Sequence, residues 1–278
     1  MIQHFRFGSP IRTDSVVQDI PVSTGAVPFL TAEADGWVYT MAPDAIVYGL
    51  GEMPRGINKR GWHYVANNTD ESHHGENKVS YYGAHNFLLI DGGPGGDLFG
   101  VFVDFPGKVH YDIGYTVHDT LRFATEEPDY ELYILTGADL NDIAHQFRQL
   151  IGRSYIPPKW AFGLQQSRWG YKTAEDVREV ARQYKENDLP LDMICMDIDY
   201  MQDYADFTIS KERFPDLAAL AAELKAQGIR LVPIIDAGVR IDPEEPTCTE
   251  GLEKGYFCKK EDGTPFVAAV WPGKAYFA

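Results

Sequence analysis

Cysteine is scarce in this chain. Cys195, Cys248 and Cys258 are the only three among 278 residues, too few and too irregular for a disulfide framework or a four-thiolate zinc site, and an odd count suits a reducing compartment. Positive charge is short as well: 25 Lys and Arg stand against 41 Asp and Glu. The resulting net charge of -16 repels a phosphate backbone or an anionic membrane, which argues against nucleic-acid and membrane partners and favours a neutral or cationic ligand. No apolar run approaches the roughly 20 residues of a membrane span. The opening Met1-Ile2-Gln3-His4-Phe5-Arg6 lacks the apolar core of a signal peptide, so the expectation is a soluble, cytoplasmic protein. Also missing are a phosphate loop of the form G-x-x-x-x-G-K-[ST] and any short internal repeat.

What is present is a hydrophobic content of 44%, enough for one large domain or two ordinary ones. The two halves read differently. Up to about residue 136, short strand candidates such as Phe87-Leu88-Leu89-Ile90, Leu98 to Val103 and Tyr130 to Leu135 alternate with turn clusters such as Asp91-Gly92-Gly93, which predicts an antiparallel β-sandwich. From Arg55 to Gly83 the chain reads as one long polar loop carrying Trp62, His63, Asp70, His73 and His74, longer than a connector needs. Leu140, Ile143, Ala144, Phe147, Leu150 and Ile151 recur at helical spacing, with Asp139 to cap the start and Gly152 to end the helix. Pro157-Pro158 is a stiff break, and the expected division is a sandwich with its closing helix over 1–152 and an α/β part over 153–278.

Beyond the break the pattern is strand, helix, strand, helix, strand. Trp160 to Gln166 reads as the first strand, and Thr173-Ala174-Glu175-Asp176 resembles a capping box before a helix with Ala174, Val177, Ala181 and Tyr184 on one face. Met193 to Ile198 is the second strand. Its helix presents Leu217, Leu220, Ala221 and Leu224 and stops at Gly228; Ile229 to Ile235 is the third strand, ending at Asp236, with Pro233 counting against it. Three parallel strands with crossover helices begin either an open doubly wound sheet or an eight-stranded barrel.

The strand ends present Arg168-Trp169-Gly170-Tyr171, Asp197-Ile198-Asp199 and Asp236-Ala237-Gly238, and Val270-Trp271-Pro272-Gly273 follows later. Aromatic faces pack on sugar rings while carboxylates accept bonds from hydroxyls, so acids and indoles together suit a pyranose. Blander readings exist for each. A strand-end Asp often only caps the next turn, Asp199 reads as structural, and Trp169 and Trp271 could close a core. His63, His73 and His74 read as solvated loop residues. Asp197, Asp199, Asp203 and Asp206 lack the glycine and terminal Glu of a calcium loop, so neither metal nor cofactor is expected. The Asp-X-Asp also occurs in metal-dependent nucleotide-sugar glycosyltransferases and in phosphatases of the haloacid dehalogenase type. A non-catalytic sugar-binding or assembly module is a further alternative.

Taken in order, Tyr48-Gly49-Leu50-Gly51-Glu52, Asn68-Thr69-Asp70, Ile156-Pro157-Pro158-Lys159-Trp160, Gln166 to Tyr171, Asp197-Ile198-Asp199-Tyr200-Met201, Phe207-Thr208 with Phe214-Pro215, and Val270 to Gly273 resemble glycoside hydrolase family 31, the α-glucosidase family. The resemblance implies a galactose-mutarotase-like β-sandwich followed by a (β/α)8 TIM barrel, here with its first three βα units. It implies that Asp70 reaches the sugar pocket, that Asp197 binds hydroxyls of a terminal glucose, and that Trp169, Ile198, Ile234, Asp236 and Trp271 shape the pocket. Ile234 is preferred over Ile235 because strand side chains alternate. The implied activity is retaining, exo-acting hydrolysis of α-glucosides or oligosaccharides. Its nucleophile and acid/base are expected beyond Ala278, which makes this chain by itself inert, with a second copy or a missing C-terminal half to cover its open edge.

Overall fold

Alternating side chains along the first half of the chain give strands with one dry face. Val109, Tyr111 and Ile113 point inward from one strand, and Leu121 and Phe123 from the next. The computed structural model describes residues 1–236 and 238–278, which fall into two compact units, Met1–Tyr155 and Ile156–Ala278. Ala237, part of one strand-end motif, lies outside the described residues.

The first unit contains two five-stranded antiparallel sheets. One is built from β1 (Ile2–Phe7), β4 (Ile46–Gly51), β6 (Ala84–Asp91), β7 (Leu98–Asp104) and β10 (Tyr130–Thr136), in the order β1-β10-β7-β6-β4. The other is built from β2 (Thr31–Glu33), β3 (Gly36–Thr40), β5 (Trp62–Ala66), β8 (Val109–Ile113) and β9 (Thr120–Thr125), in the order β2-β3-β9-β8-β5. Val47, Leu88, Ile90, Val101, Val103, Leu132 and Ile134 from the first share a core with Tyr64, Tyr111, Ile113, Leu121 and Phe123 from the second. Helix α1 (Leu140–Leu150) covers the outer face of the first sheet, packing Ile143 and Leu150 with Phe102, Tyr133 and Leu135. Its start is fixed as the sequence predicts: Asp139 accepts the N–H of Asp142 at 2.8 Å.

Two features of this unit differ from or explain the sequence reading. The stretch from Arg55 to Gly83 is not one loop, because β5 lies inside it and pairs with β8, placing His63 opposite Asp112. The aromatic and β-branched run Trp62-His63-Tyr64-Val65-Ala66 favours pairing despite its polar flanks. The motif Tyr48 to Glu52 is a bulge on β4, where the register shifts between Gly49 and Gly51. A side chain at Gly49, whose φ is +119°, would stand 2.2 Å from the Phe87 carbonyl oxygen, so only glycine fits there.

The second unit begins with β11 (Gln165–Arg168), α2 (Ala174–Glu186), β12 (Met193–Met196), α3 (Leu217–Ala226) and β13 (Arg230–Pro233). The strands pair in parallel in the order β11-β12-β13. Val177 and Ala181 of α2 and Leu220 and Leu224 of α3 pack on Ile194 and Met196. The expected first strand starts late: Lys159–Phe162 forms a 3-10 turn after Pro158. The second and third strands stop at Met196 and Pro233 rather than Ile198 and Ile235. Pro233 is tolerated because Arg230 and Ile234 donate their N–H groups to Asp192 and Met196, which turns the alternate position, Pro233, toward the free edge.

A small antiparallel sheet, which the sequence reading did not foresee, completes the unit. It comprises β14 (Gly238–Arg240), β15 (Val267–Val270) and β16 (Gly273–Phe277) in the order β14-β16-β15, with α4 (Pro246–Lys254) against it through Val239, Cys248, Phe257 and Tyr276.

Candidate functional site at the strand ends

Register decides which side chains share a face. Ser167, Cys195 and Gln166, Ile194 form paired rows across β11 and β12, and Cys195 and Val232 continue the first row onto β13. The row of Ile194 and Met196 is buried under the helices, while Ser167 is exposed and Cys195 and Val232 half-buried on the opposite face. Counting on by twos from the row of Ser167, Cys195 and Val232 reaches Trp169, Asp197, Ile234 and Asp236, just past the carboxyl ends of three neighbouring strands. That position is where α/β enzymes hold their ligands.

The loop after β12 ties the three strand ends together. Asp199, 1% exposed, accepts the N–H of Gly170 at 3.0 Å and so holds the turn beside Trp169. Tyr200 donates its hydroxyl proton to the Ile234 carbonyl at 2.8 Å, and Ile234 N–H donates to the Met196 carbonyl at 2.9 Å. Asp197 accepts the N–H of Ile198 at 2.7 Å through Oδ1. Asp236 keeps Oδ2 buried without a hydrogen-bond partner among the described residues. Burial first, then the charge of Asp197, raises the Asp236 carboxyl above the ordinary carboxylate range, so the two acids are close enough to feel each other. An unpaired buried carboxylate oxygen beside a second acid is an acceptor waiting for a donor such as a hydroxyl.

The expected site residues are therefore divided. Trp169, Asp197, Ile234 and Asp236 come from adjacent strand ends, with Trp169 62% exposed rather than in a core. Ile198 has the other parity and packs in the helix-side core with Tyr171, Val177 and Phe214. The alternation argument for Ile234 supposed a longer strand; β13 ends one residue earlier, and the side chain of Ile234 is nonetheless exposed. Trp271 forms the exposed turn between β15 and β16. Asp70 lies in the first unit, exposed, accepting the hydroxyl proton of Tyr82 at 2.9 Å.

Asp199 is spent on Gly170, so Asp197-Ile198-Asp199 does not present two free carboxylates to a metal, which weighs against the glycosyltransferase reading. Among the described residues no cluster of three or more His, Cys, Asp and Glu is arranged for a metal ion. No helix among them is long and apolar enough to cross a membrane. A cleft of about 750 Å³ opens elsewhere, in the first unit. Part of its polar lining is paired: Thr13 donates to Asp104, Arg6 and Tyr133 donate to Glu131, and His4 Nδ1 bonds the Ile20 carbonyl, while His4 Nε2 is buried without a hydrogen-bond partner among the described residues. We read it as a seam beneath the N-terminal segment.

Comparison with known proteins agrees with this architecture. The profile of the glycosyl hydrolases family 31 TIM-barrel domain matches residues 154–278, and that of the glycosyl hydrolase 31 N-terminal galactose mutarotase-like domain matches residues 26–112. The chain is 40% identical over 232 residues to alpha-glucosidase 2 of Bacillus thermoamyloliquefaciens, covering 83% of this chain and 29% of that protein. It is 29% identical over 231 residues to an alpha-glucosidase of Saccharolobus solfataricus, covering 83% of this chain and 33% of that protein. A Flavobacterium johnsoniae GH31 dextranase superposes with a TM-score of 0.77 at 23% identity, over 91% of this chain and 31% of that one. The chain thus spans about a third of the length of these relatives. With a mutarotase-like sandwich and the opening strands of a TIM barrel both matched in order, the chain belongs to glycosyl hydrolase family 31.

Proposed function

We propose that the full-length protein is a retaining, exo-acting α-glucosidase and that this chain supplies part of its sugar-binding cup. The observation that carries the proposal is the pair Asp197 and Asp236, two charge-coupled carboxylates at the ends of adjacent parallel strands, one of them with a buried oxygen that has no hydrogen-bond partner among the described residues. In this reading both accept hydrogen bonds from hydroxyls of a terminal glucose. The exposed indole of Trp169 covers an apolar ring face. Ile234 and Trp271 keep the pocket-shaping roles that the family resemblance gives them, whereas Ile198 belongs to the helix-side core.

Retaining hydrolysis needs two further carboxylates about 5 Å apart, a nucleophile that forms the glycosyl-enzyme ester and an acid/base that protonates the leaving oxygen. The proposal assigns neither to residues 1–278. It takes the location to be cytoplasmic and the 278-residue chain alone to be inert; turnover of a chromogenic α-glucoside by the purified chain would contradict the latter.

The role of the cup is tested by steady-state kinetics of the full-length protein. A hydrogen bond to a charged group contributes about 1.5–3 kcal/mol, so Asp197→Ala should lower kcat/KM for an aryl α-glucoside by roughly ten- to a hundredfold or more. An unchanged kcat/KM in a folded variant would remove Asp197 from the site.

A further inference from the structure

Tyr200 ends the short helical turn Ile198–Tyr200 that Asp197 begins. Asp197 caps the turn by accepting the N–H of Ile198, and Met201 N–H closes it on the Ile198 carbonyl at 3.0 Å. The Tyr200 carbonyl accepts Ser210 N–H at 2.8 Å, and the side chain, in a residue 5% exposed, belongs to the core of Met196, Met201 and Phe214. Backbone and ring are thus fixed independently of the hydroxyl. That hydroxyl reaches to the next strand end and donates to the Ile234 carbonyl at 2.8 Å.

Ile234 stands just past Pro233, where β13 ends, and two residues before Asp236. Its N–H donates to the Met196 carbonyl at 2.9 Å, so both backbone groups of Ile234 are held from the β12 side. These two bonds carry the line of β13 onward where the strand itself has stopped.

We infer that Tyr200 is a positioning residue for the sugar site: its hydroxyl holds the Ile234 peptide and thereby sets where the Asp236 carboxylate stands relative to Asp197, at the other end of the same turn. The inference rests on the sugar-binding reading of Asp197 and Asp236. The Ile234 carbonyl can only accept, so the phenol must keep its proton. Burial first, then the charges of Asp206 and Asp236, raises the Tyr200 phenol above its ordinary range and keeps it a donor at neutral pH.

Amide hydrogen exchange on the 278-residue chain tests the tie without any sugar. Tyr200→Phe removes one oxygen and keeps the ring, so the core it fills stays packed. It should speed exchange at the Ile234 amide by roughly three- to tenfold relative to that of Cys195 in β12, the weight of one hydrogen bond. Tyr184→Phe, which removes a hydroxyl that donates to Gln166 at 2.6 Å instead, should leave that ratio unchanged. An unchanged ratio in Tyr200→Phe, or an equal rise in Tyr184→Phe, overturns the tie and leaves the sugar reading of Asp236 intact.

In the full-length protein, Tyr200→Phe should raise KM for an aryl α-glucoside by roughly three- to tenfold with a smaller change in kcat. In an Asp236→Asn background the same substitution should move KM by less than about twofold, because a residue that acts through Asp236 has nothing left to place. An equal effect in both backgrounds overturns the positioning role. An Asp236→Asn variant with unchanged kcat/KM would instead remove Asp236 from the sugar site, and the positioning role with it, while the tie stands.

Discussion

Asp236 is held where burial and the neighbouring charge of Asp197 both oppose its ionisation. An acid whose folded-state pKa is raised binds its proton more tightly when folded, so its contribution to stability is greatest at low pH and declines as pH climbs from the ordinary carboxylate range through the raised value. Asp236→Asn should therefore unfold at a higher temperature than the unmodified chain at pH 7, the difference closing toward pH 3. Thermal denaturation at the two pH values measures it, and a wider gap at pH 3 than at pH 7 would reverse the sign. Such a penalty is tolerated where a ligand makes use of it. The placement of Asp197 and Asp236 is legible in sequence because each comes at the end of an apolar run, Met193 to Met196 and Ile229 to Ile235, whereas Trp169 follows the polar Gln165-Gln166-Ser167-Arg168 and stands out only as an indole. The burial of Asp206 is not legible in that way: it lies in an irregular loop with left-handed neighbours, where no periodicity relates position to direction.

At the scale of elements, the three helices that the sequence predicts are placed more accurately than the strands, while α4 escaped it. Thr173 and Asp176 exchange capping bonds as the sequence predicts, with Thr173 N–H donating to Asp176 at 2.8 Å and Asp176 N–H to Thr173 at 3.2 Å. Thr173→Ala should lower the stability of the second unit by about 1 kcal/mol in urea titration, since it removes the acceptor for an orphan N–H of α2. Ile194, fully buried between β12 and its helices, should cost about 2–5 kcal/mol on truncation to alanine, through lost apolar contact and the cavity left behind. Strand lengths were overread because hydrophobicity reports burial, not pairing: Ile198 and Ile229 are buried but sit just outside β12 and β13. The sheet of β14, β15 and β16 escaped notice because its strands are short and alternate poorly, as in Val267-Ala268-Ala269-Val270 and Gly273-Lys274-Ala275-Tyr276-Phe277.

At the scale of the whole molecule, the chain divides at Tyr155 into an all-β unit with one covering helix and an α/β unit. In sequence, the change from period-two alternation to alternating strand and helix signals around Pro157-Pro158 places the expected boundary between residues 152 and 153. The residues at the junction are exposed from Arg153 to Ile156, so limited proteolysis should cut there first and leave an amino-terminal fragment ending near Tyr155 that still melts cooperatively. Early cleavage within β7 or β10 instead would show that the sandwich is not an independent unit. The central claim is that the acids at the ends of β12 and β13 grip a hexose, and it is tested most directly by soaking crystals of the protein with glucose or maltose. The account predicts a sugar ring with hydroxyl oxygens within roughly 2.5–3.0 Å of the Asp197 and Asp236 carboxylates. Sugar bound only elsewhere on the protein, with both carboxylates left unengaged, would contradict it.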